Sequence, residues 1–92
     1  MIIRWTKPAA DDLAHICDYT ESHFGTAQAK RTALAIYDVA DSLRHMPNRG
    51  RPGRKPGTRE IAVVGLPFVI IYRAGREAVE IARVLHGFQQ WP

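Results

Sequence analysis

Arg59, Arg73, Arg83 and His86 are the residue types that phosphate chemistry requires, and Glu60 and Tyr72 lie among them in the chain. A guanidinium matches two phosphate oxygens in bidentate geometry, and an imidazole titrates close to neutral pH. Such a set could hold a scissile phosphate while His86, Glu60 or Tyr72 moves a proton. Each residue also has an ordinary structural alternative. Arg59 could anchor a loop to a sheet, Arg73 could be an exposed strand end, and His86 could be a hydrogen-bonding residue at a strand end. Metal chemistry is not indicated: His15, His23, His45 and His86 form no paired ligand motif, and His15 with Asp11 or Cys17 is an ordinary helix neighbourhood. No glycine cluster matches a phosphate loop opening a helix, so neither a metal nor a cofactor is expected.

The strongest feature of the composition is local. Arg49 to Arg59 hold five positive charges and no negative one, whereas the whole chain has 13 Lys+Arg against 9 Asp+Glu. Without this segment the chain is close to neutral. Arg49, Arg51, Arg54, Lys55 and Arg59 therefore form a concentrated positive patch suited to an anionic partner, or else a solvated loop. Three Gly and two Pro in the segment argue against a regular helix or strand interior and leave room for mobility.

Ninety-two residues with 46% apolar content suit one domain spanning 1–92, with a single modest core. Cys17 is the one cysteine, which excludes an internal disulfide framework and fits a reducing cytoplasm. On an apolar helical face it reads as a small core residue. No apolar run approaches the roughly 20 residues that span a bilayer, and the N-terminus lacks a secretion-signal pattern. The expectation is a small, soluble, cytoplasmic protein.

The elements that must position these residues follow from periodicity. Ile2 to Trp5 reads as a strand. Thr6 is a helix N-cap with Pro8 in the first turn and Asp11 and Asp12 near the positive end of the dipole; Leu13, Ile16, Cys17, Thr20 and Phe24 share one face. Gly25 stops this helix and Thr26 caps the next. Ala29, Ala33, Ile36, Ala40 and Leu43 form its narrow apolar seam, and Pro47 ends it. The two helices make an antiparallel hairpin. Arg59 to Val64, Phe68 to Ala74 and Ala78 to Leu85 are strands joined by Gly65-Leu-Pro67 and Gly75-Arg-Glu77, connections short enough for antiparallel neighbours. The fold class is α+β: an N-terminal strand, a helical hairpin, then a three-stranded antiparallel meander, with the helices on one face of the sheet. Alternation puts Val79, Ile81, Arg83 and Leu85 on the buried side of the last strand. Arg83 is awkward there unless a bulge shifts the phase or an edge lets its guanidinium reach water.

The run Gly50-Arg51, Gly57-Thr-Arg-Glu60, Leu66-Pro-Phe-Val-Ile-Ile-Tyr-Arg73, Ile81-Ala-Arg-Val-Leu-His-Gly87 and Gln90-Trp-Pro92 resembles the ParE/RelE toxin superfamily. Trp5, Asp12-Leu13, Ile16 and Tyr19 agree with it in the N-terminal half. The likeness spans essentially the whole chain. It implies the toxin of a two-gene toxin–antitoxin module, of the kind called plasmid stabilisation proteins. It also implies neutralisation by a cognate antitoxin, in a toxin–antitoxin hetero-oligomer.

The superfamily divides by target. RelE-like members cut messenger RNA on the ribosome and typically carry an arginine early in the strand that here reads Phe68-Val-Ile-Ile-Tyr72. This strand has only apolar residues before Tyr72. ParE-like members act on DNA gyrase by protein–protein contact, and the Pro67-Phe68 start and the Val84-Leu-His-Gly87 ending look closer to that side. The resemblance therefore implies a ParE-like gyrase inhibitor, with Arg49, Arg51, Arg54, Lys55, Arg59, Arg83, His86 and Trp91 as residues that meet the target or the antitoxin. Two alternatives remain: a RelE-like mRNA interferase, catalytic through Arg59, Arg73, Arg83 and His86 on the ribosome, and a non-toxic basic nucleic-acid-binding module.

Overall fold

A computed structural model describes residues 1–87; the expectation about Trp91 lies outside the described residues. The order is strand β1 (Ile2–Trp5), helices α1 (Lys7–Phe24) and α2 (Thr26–Ser42), then strands β2 (Arg51–Pro52), β3 (Arg59–Ala62), β4 (Phe68–Ala74) and β5 (Ala78–His86). They form an α+β fold with a five-stranded sheet in the order β1-β5-β4-β3-β2. β2 to β5 are antiparallel, and β1 joins β5 in parallel, Ile2 opposite Ala78 and Trp5 opposite Ile81. The expected meander is present as β3–β4–β5. The basic segment, read as having no strand, contributes β2: Arg51 pairs with Glu60 and Pro52 with Arg59 at the sheet edge, where proline's missing N–H is tolerated.

Thr6 caps α1 as expected. Its hydroxyl accepts from the Ala9 N–H at 3.2 Å and lies 3.0 Å from the carbonyls of both Ile81 and Ala82, so one side chain starts the helix and ties it to β5. The second helix differs at both ends. Gly25, at φ 89°, is the N-cap, and Thr26 is the first helical residue, with its hydroxyl directed to Glu21. α2 ends at Ser42, five residues before Pro47. There the Ser42 hydroxyl donates to the Val39 carbonyl at 2.6 Å and the backbone tightens into three-residue turns, Leu43 to Ala40 and Arg44 to Asp41.

The core lies between the hairpin and one sheet face: Ala9 and Leu13 from α1, Ile36 and Ala40 from α2, then Leu43, Val63, Ile70, Tyr72, Val79, Ile81 and Val84. Two expected face residues depart. Phe24 is 68% exposed, and Ala33 is only half-buried, its place in the contact taken by Thr32. Trp5 lies 5.3 Å from the Tyr37 ring, which fastens β1 to α2.

The phase problem at Arg83 is solved by a bulge. Ile71 pairs with Arg83 and Tyr72 with Ile81, so Ala82 is an extra residue on β5. Val79 and Ile81 face the main core before it and Val84 after it, while Ala82 and Leu85 join Ile71 in a second cluster. β1 ends at the same level, leaving the next stretch of β5 with β4 on one side and no strand on the other. Asp12 of α1 fills that gap. Its carboxylate accepts from Arg83 Nε at 2.7 Å, Arg83 Nη2 at 2.9 Å and the Val84 N–H at 3.0 Å. These hydrogen bonds, foremost, hold Arg83 above the ordinary arginine range. The bulge and the edge are both present.

Candidate functional site

The basic segment is a fastened hairpin. Arg51 and Pro52 pair with β3, and the Gly53 N–H donates to the Thr58 carbonyl at 2.8 Å, closing the loop 54–57. Thr58 Oγ1 donates to the Lys55 carbonyl at 2.6 Å, and Gly57 takes φ 80°. The Arg54 N–H donates to Glu60 Oε2 at 3.1 Å. Tyr72 holds the base: its buried hydroxyl accepts from the Gly50 N–H and donates to the Pro47 carbonyl, both at 2.8 Å. A Cβ on Gly50 would stand 2.7 Å from that hydroxyl and 2.8 Å from the Glu60 carbonyl oxygen, so the position excludes a side chain unless the backbone itself shifts. Tyr72→Phe is expected to cost about 1–3 kcal/mol, because the Gly50 N–H loses its acceptor inside the fold. Faster amide exchange at Gly50, with β5 protection nearly unchanged, is the expected reading.

The candidate catalytic residues divide between structural tasks and distant places. Arg59 Nη1 donates to the Gly50 carbonyl at 2.8 Å and, more weakly, to the Asn48 carbonyl at 3.5 Å, which is the loop-anchor alternative. Arg83 is forked onto Asp12. Tyr72 is fully buried. His86 pairs with Phe68 at the start of β4, whereas Arg73 lies five residues along the same strand, roughly 17 Å away at extended spacing. Arg59, Arg73, Arg83 and His86 thus do not share one centre.

A different set does converge. Arg51, Arg54, Glu60 and His86 line a recess of about 30 Å³ on the sheet face away from the hairpin, floored by Val69, Ile71 and Leu85. Glu60 is 6% exposed, and its Oε1 lies 3.4 Å from Arg51 Nη2. The recess is about the size of one water.

A larger concavity has another character. An open groove of about 730 Å³ runs between the hairpin and the β3–β4 turn, bounded by Ile16, Tyr19 and Phe24 on one side and Leu66, Pro67 and Phe68 on the other. His86 stands at its rim, edge-on to Phe68 with ring centroids 6.1 Å apart. Tyr19 is 60% exposed and stacks on His23 at 4.0 Å. The sequence reading missed this groove: Phe24 shares the helical spacing of the core residues, and its exposure depends on where the hairpin ends relative to the sheet. Cys17 is half-buried beside a second apolar crevice, and burial first, then the charge of Asp18, pushes its thiol up, away from nucleophilic use. Among the described residues no group of three or more His, Cys, Asp or Glu is placed to hold a metal ion, and no helix is long and apolar enough to cross a membrane.

Residues 3–91 match the family described as ParE toxin of type II toxin–antitoxin system, parDE. The chain is 42% identical over 90 residues to Y4kP of Sinorhizobium fredii (strain NBRC 101917 / NGR234), whose name marks it as a candidate toxin; the match covers 98% of this chain and 92% of that protein. It is 40% identical over 82 residues to the toxin RelE2 of Caulobacter vibrioides (strain ATCC 19089 / CIP 103742 / CB 15), across 89% and 90% of the two. Among solved structures it is similar to a chain of the chromosomal ParDE TA system from P. aeruginosa, with a TM-score of 0.87 and 28% identity over 94% of this chain and 95% of that one. Names of both branches occur among these relatives, so names alone do not choose the target.

Proposed function

The chain belongs to the ParE toxin family of type II toxin–antitoxin systems, and we propose that it inhibits DNA gyrase by protein–protein contact, in the cytoplasm, until a cognate antitoxin neutralises it. One observation carries the choice of gyrase over RNA. Arg59 and Arg83 are engaged by carbonyls and by Asp12, Tyr72 is a buried fastener, and Phe68 to Ile71 offer no polar group. Cleaving RNA requires a group that activates the 2′-hydroxyl, one that stabilises the phosphate and one that protonates the leaving oxygen, all at one centre. A contact inhibitor requires none of these. Ribosome-dependent RNA cleavage is the second reading, favoured by the convergence of Arg51, Arg54, Glu60 and His86 on one recess. The test is to supply the purified toxin to gyrase with DNA and to translating ribosomes, and to score DNA breakage and messenger cleavage side by side.

The antitoxin has two surfaces available. The apolar groove suits the nonpolar face of an amphipathic segment, the mode in which helices enter grooves. Arg49, Arg51, Arg54 and Lys55 are exposed on the basic hairpin, apart from the groove, and suit acidic side chains, whereas Arg59 and Arg83 act from inside the fold. Phe24→Asp is expected to change stability by less than about 0.5 kcal/mol, since the ring is exposed. It is expected to weaken antitoxin binding by about 30-fold or more, the effect of removing an aromatic anchor worth at least ~2 kcal/mol. Calorimetric titration with the antitoxin checks this. Hydrogen exchange over residues 49–64 and 78–86, with and without antitoxin, reports on the basic hairpin and sheet.

A further inference from the structure

The fold adds to the basic hairpin a set of arginines that are remote from it in sequence. β3 leads away from the hairpin tip, β4 returns to it at Ala74, and β5 departs from the turn at Gly75–Glu77. Gly57 and Thr58 accordingly line one small concavity with Ala74. β1 starts at this same end, since Ile2 pairs with Ala78. Arg4, Arg73 and Arg76 are thereby gathered at one end of the sheet, around two carboxylates, Glu77 and Glu80. The apolar groove lies at the other end.

The arrangement is ordered. Glu80 on β5 pairs with Arg4 on one side and Arg73 on the other, so the two arginines flank it on neighbouring strands, roughly 10 Å apart at ordinary strand spacing. Arg76 lies in the adjoining turn. All are exposed, and among the described residues the side chains of Arg4, Arg73 and Arg76 make no hydrogen bond and join none of the ion pairs. This contrasts with Arg44, Arg59 and Arg83, which hold the fold together.

We propose that this end, centred on Arg4, Arg73 and Arg76, binds the phosphate backbone of duplex DNA. Guanidinium is the group that pairs with phosphate in two-point fashion. The open cleft among these residues, about 460 Å³, is lined by Arg4, Arg73, Gly75, Arg76, Glu77, Ala78 and Glu80, with no large apolar side chain. An acidic protein partner would need an apolar anchor at the centre of its contact. A single strand would need aromatic platforms for its bases. A duplex backbone needs neither, because counterion release supplies the affinity. The choice of DNA over duplex RNA rests on the gyrase reading, since gyrase holds its DNA substrate beside whatever contacts the enzyme.

Fluorescence anisotropy of a labelled 20-base-pair DNA duplex, titrated with purified full-length toxin at several salt concentrations, tests the proposal. Binding is expected with Kd of about 10⁻⁴–10⁻⁶ M, weakening steeply with salt. Arg73→Ala with Arg76→Ala is expected to lower the slope of log K against log salt by about two, one for each lost phosphate contact, while Lys30→Ala leaves it unchanged. Both arginines are exposed, and circular dichroism verifies the fold. An unchanged slope in the double variant overturns the proposal, as does tighter binding to duplex RNA or equal competition by a polyglutamate peptide. Gyrase inhibition measured on the same preparations separates the two readings: a wild-type toxin that breaks DNA through gyrase yet fails to bind the free duplex refutes the DNA surface alone.

Discussion

Ile36→Asp is expected to abolish the folded state, with no cooperative thermal transition and loss of antitoxin binding and toxicity together. Ile36 has no exposed surface and lies where α2 meets Ala9, Leu13 and the sheet residues Ile70, Ile81 and Val84. Removing its apolar side chain costs about 2–5 kcal/mol in lost burial and packing. Placing an unpaired carboxylate there adds several kcal/mol, or forces it to stay protonated. A domain of this size has about 5–15 kcal/mol in reserve, so the sum reaches or exceeds it. Ala33→Glu is expected to be far milder, because Ala33 is half-buried and its helix presents Thr32 and Ile36 to the core instead. Circular dichroism melts of the two variants check the ranking. A near-wild-type melt for Ile36→Asp would show that the contact between hairpin and sheet is misplaced.

The second large effect is expected from Asp12→Ala, at about 2–3 kcal/mol, or a fall in Tm of about 8–24 °C. Asp12 satisfies the Val84 N–H on the edge of β5 that β1 no longer covers, and it fixes Arg83 at the bulge. With side-chain exposures of 22% and 16%, Arg83 and Asp12 are only partly withdrawn from water, so the orphaned guanidinium can hydrate and the larger cost of a buried unpaired charge does not apply. Most of the loss comes from the amide. Asp12→Asn, which retains an acceptor for Val84, is expected to recover roughly half of it. If Asp12→Asn and Asp12→Ala melt alike, the amide is not the seat of the effect. Hydrogen exchange at Val84 distinguishes the cases residue by residue.

Much of this architecture was legible because local signals agree with one another. Thr6 followed by Pro8 marks a helix start wherever the chain lies, and the Phe68–Ala74 strand coincides with its β-rich run. What the sequence left open was tertiary. The bulge at Ala82 is invisible to alternation, which only reports that Arg83 does not fit. β2 exists because β3 lies beside it, against the local preference of a Gly- and Pro-rich segment. Thr26 looked like a cap, but a glycine at positive φ took the position, since the tight reversal between α1 and α2 demands it. At the candidate site the residue types suggested a catalytic set, yet types alone could not show that Asp12, seventy-one residues before Arg83, had claimed its guanidinium. Nor could they show that Tyr72 would turn inward to hold Gly50, or that Arg4, Arg73 and Arg76 would meet at one end of the sheet.

The central claim, a contact inhibitor of gyrase without a catalytic centre, meets its most direct test in a paired assay with wild-type and His86→Ala toxin. Gyrase with supercoiled DNA and ribosomes translating a defined messenger each receive purified toxin, and cleaved DNA and cleaved RNA are quantified. The predicted result is gyrase-dependent DNA breakage, no messenger cleavage, and only a modest change for His86→Ala, whose ring contacts the groove rim. Codon-specific messenger cleavage by the wild type, reduced about 10²–10⁴-fold in a folded His86→Ala variant as loss of a proton-transfer group would do, would contradict it.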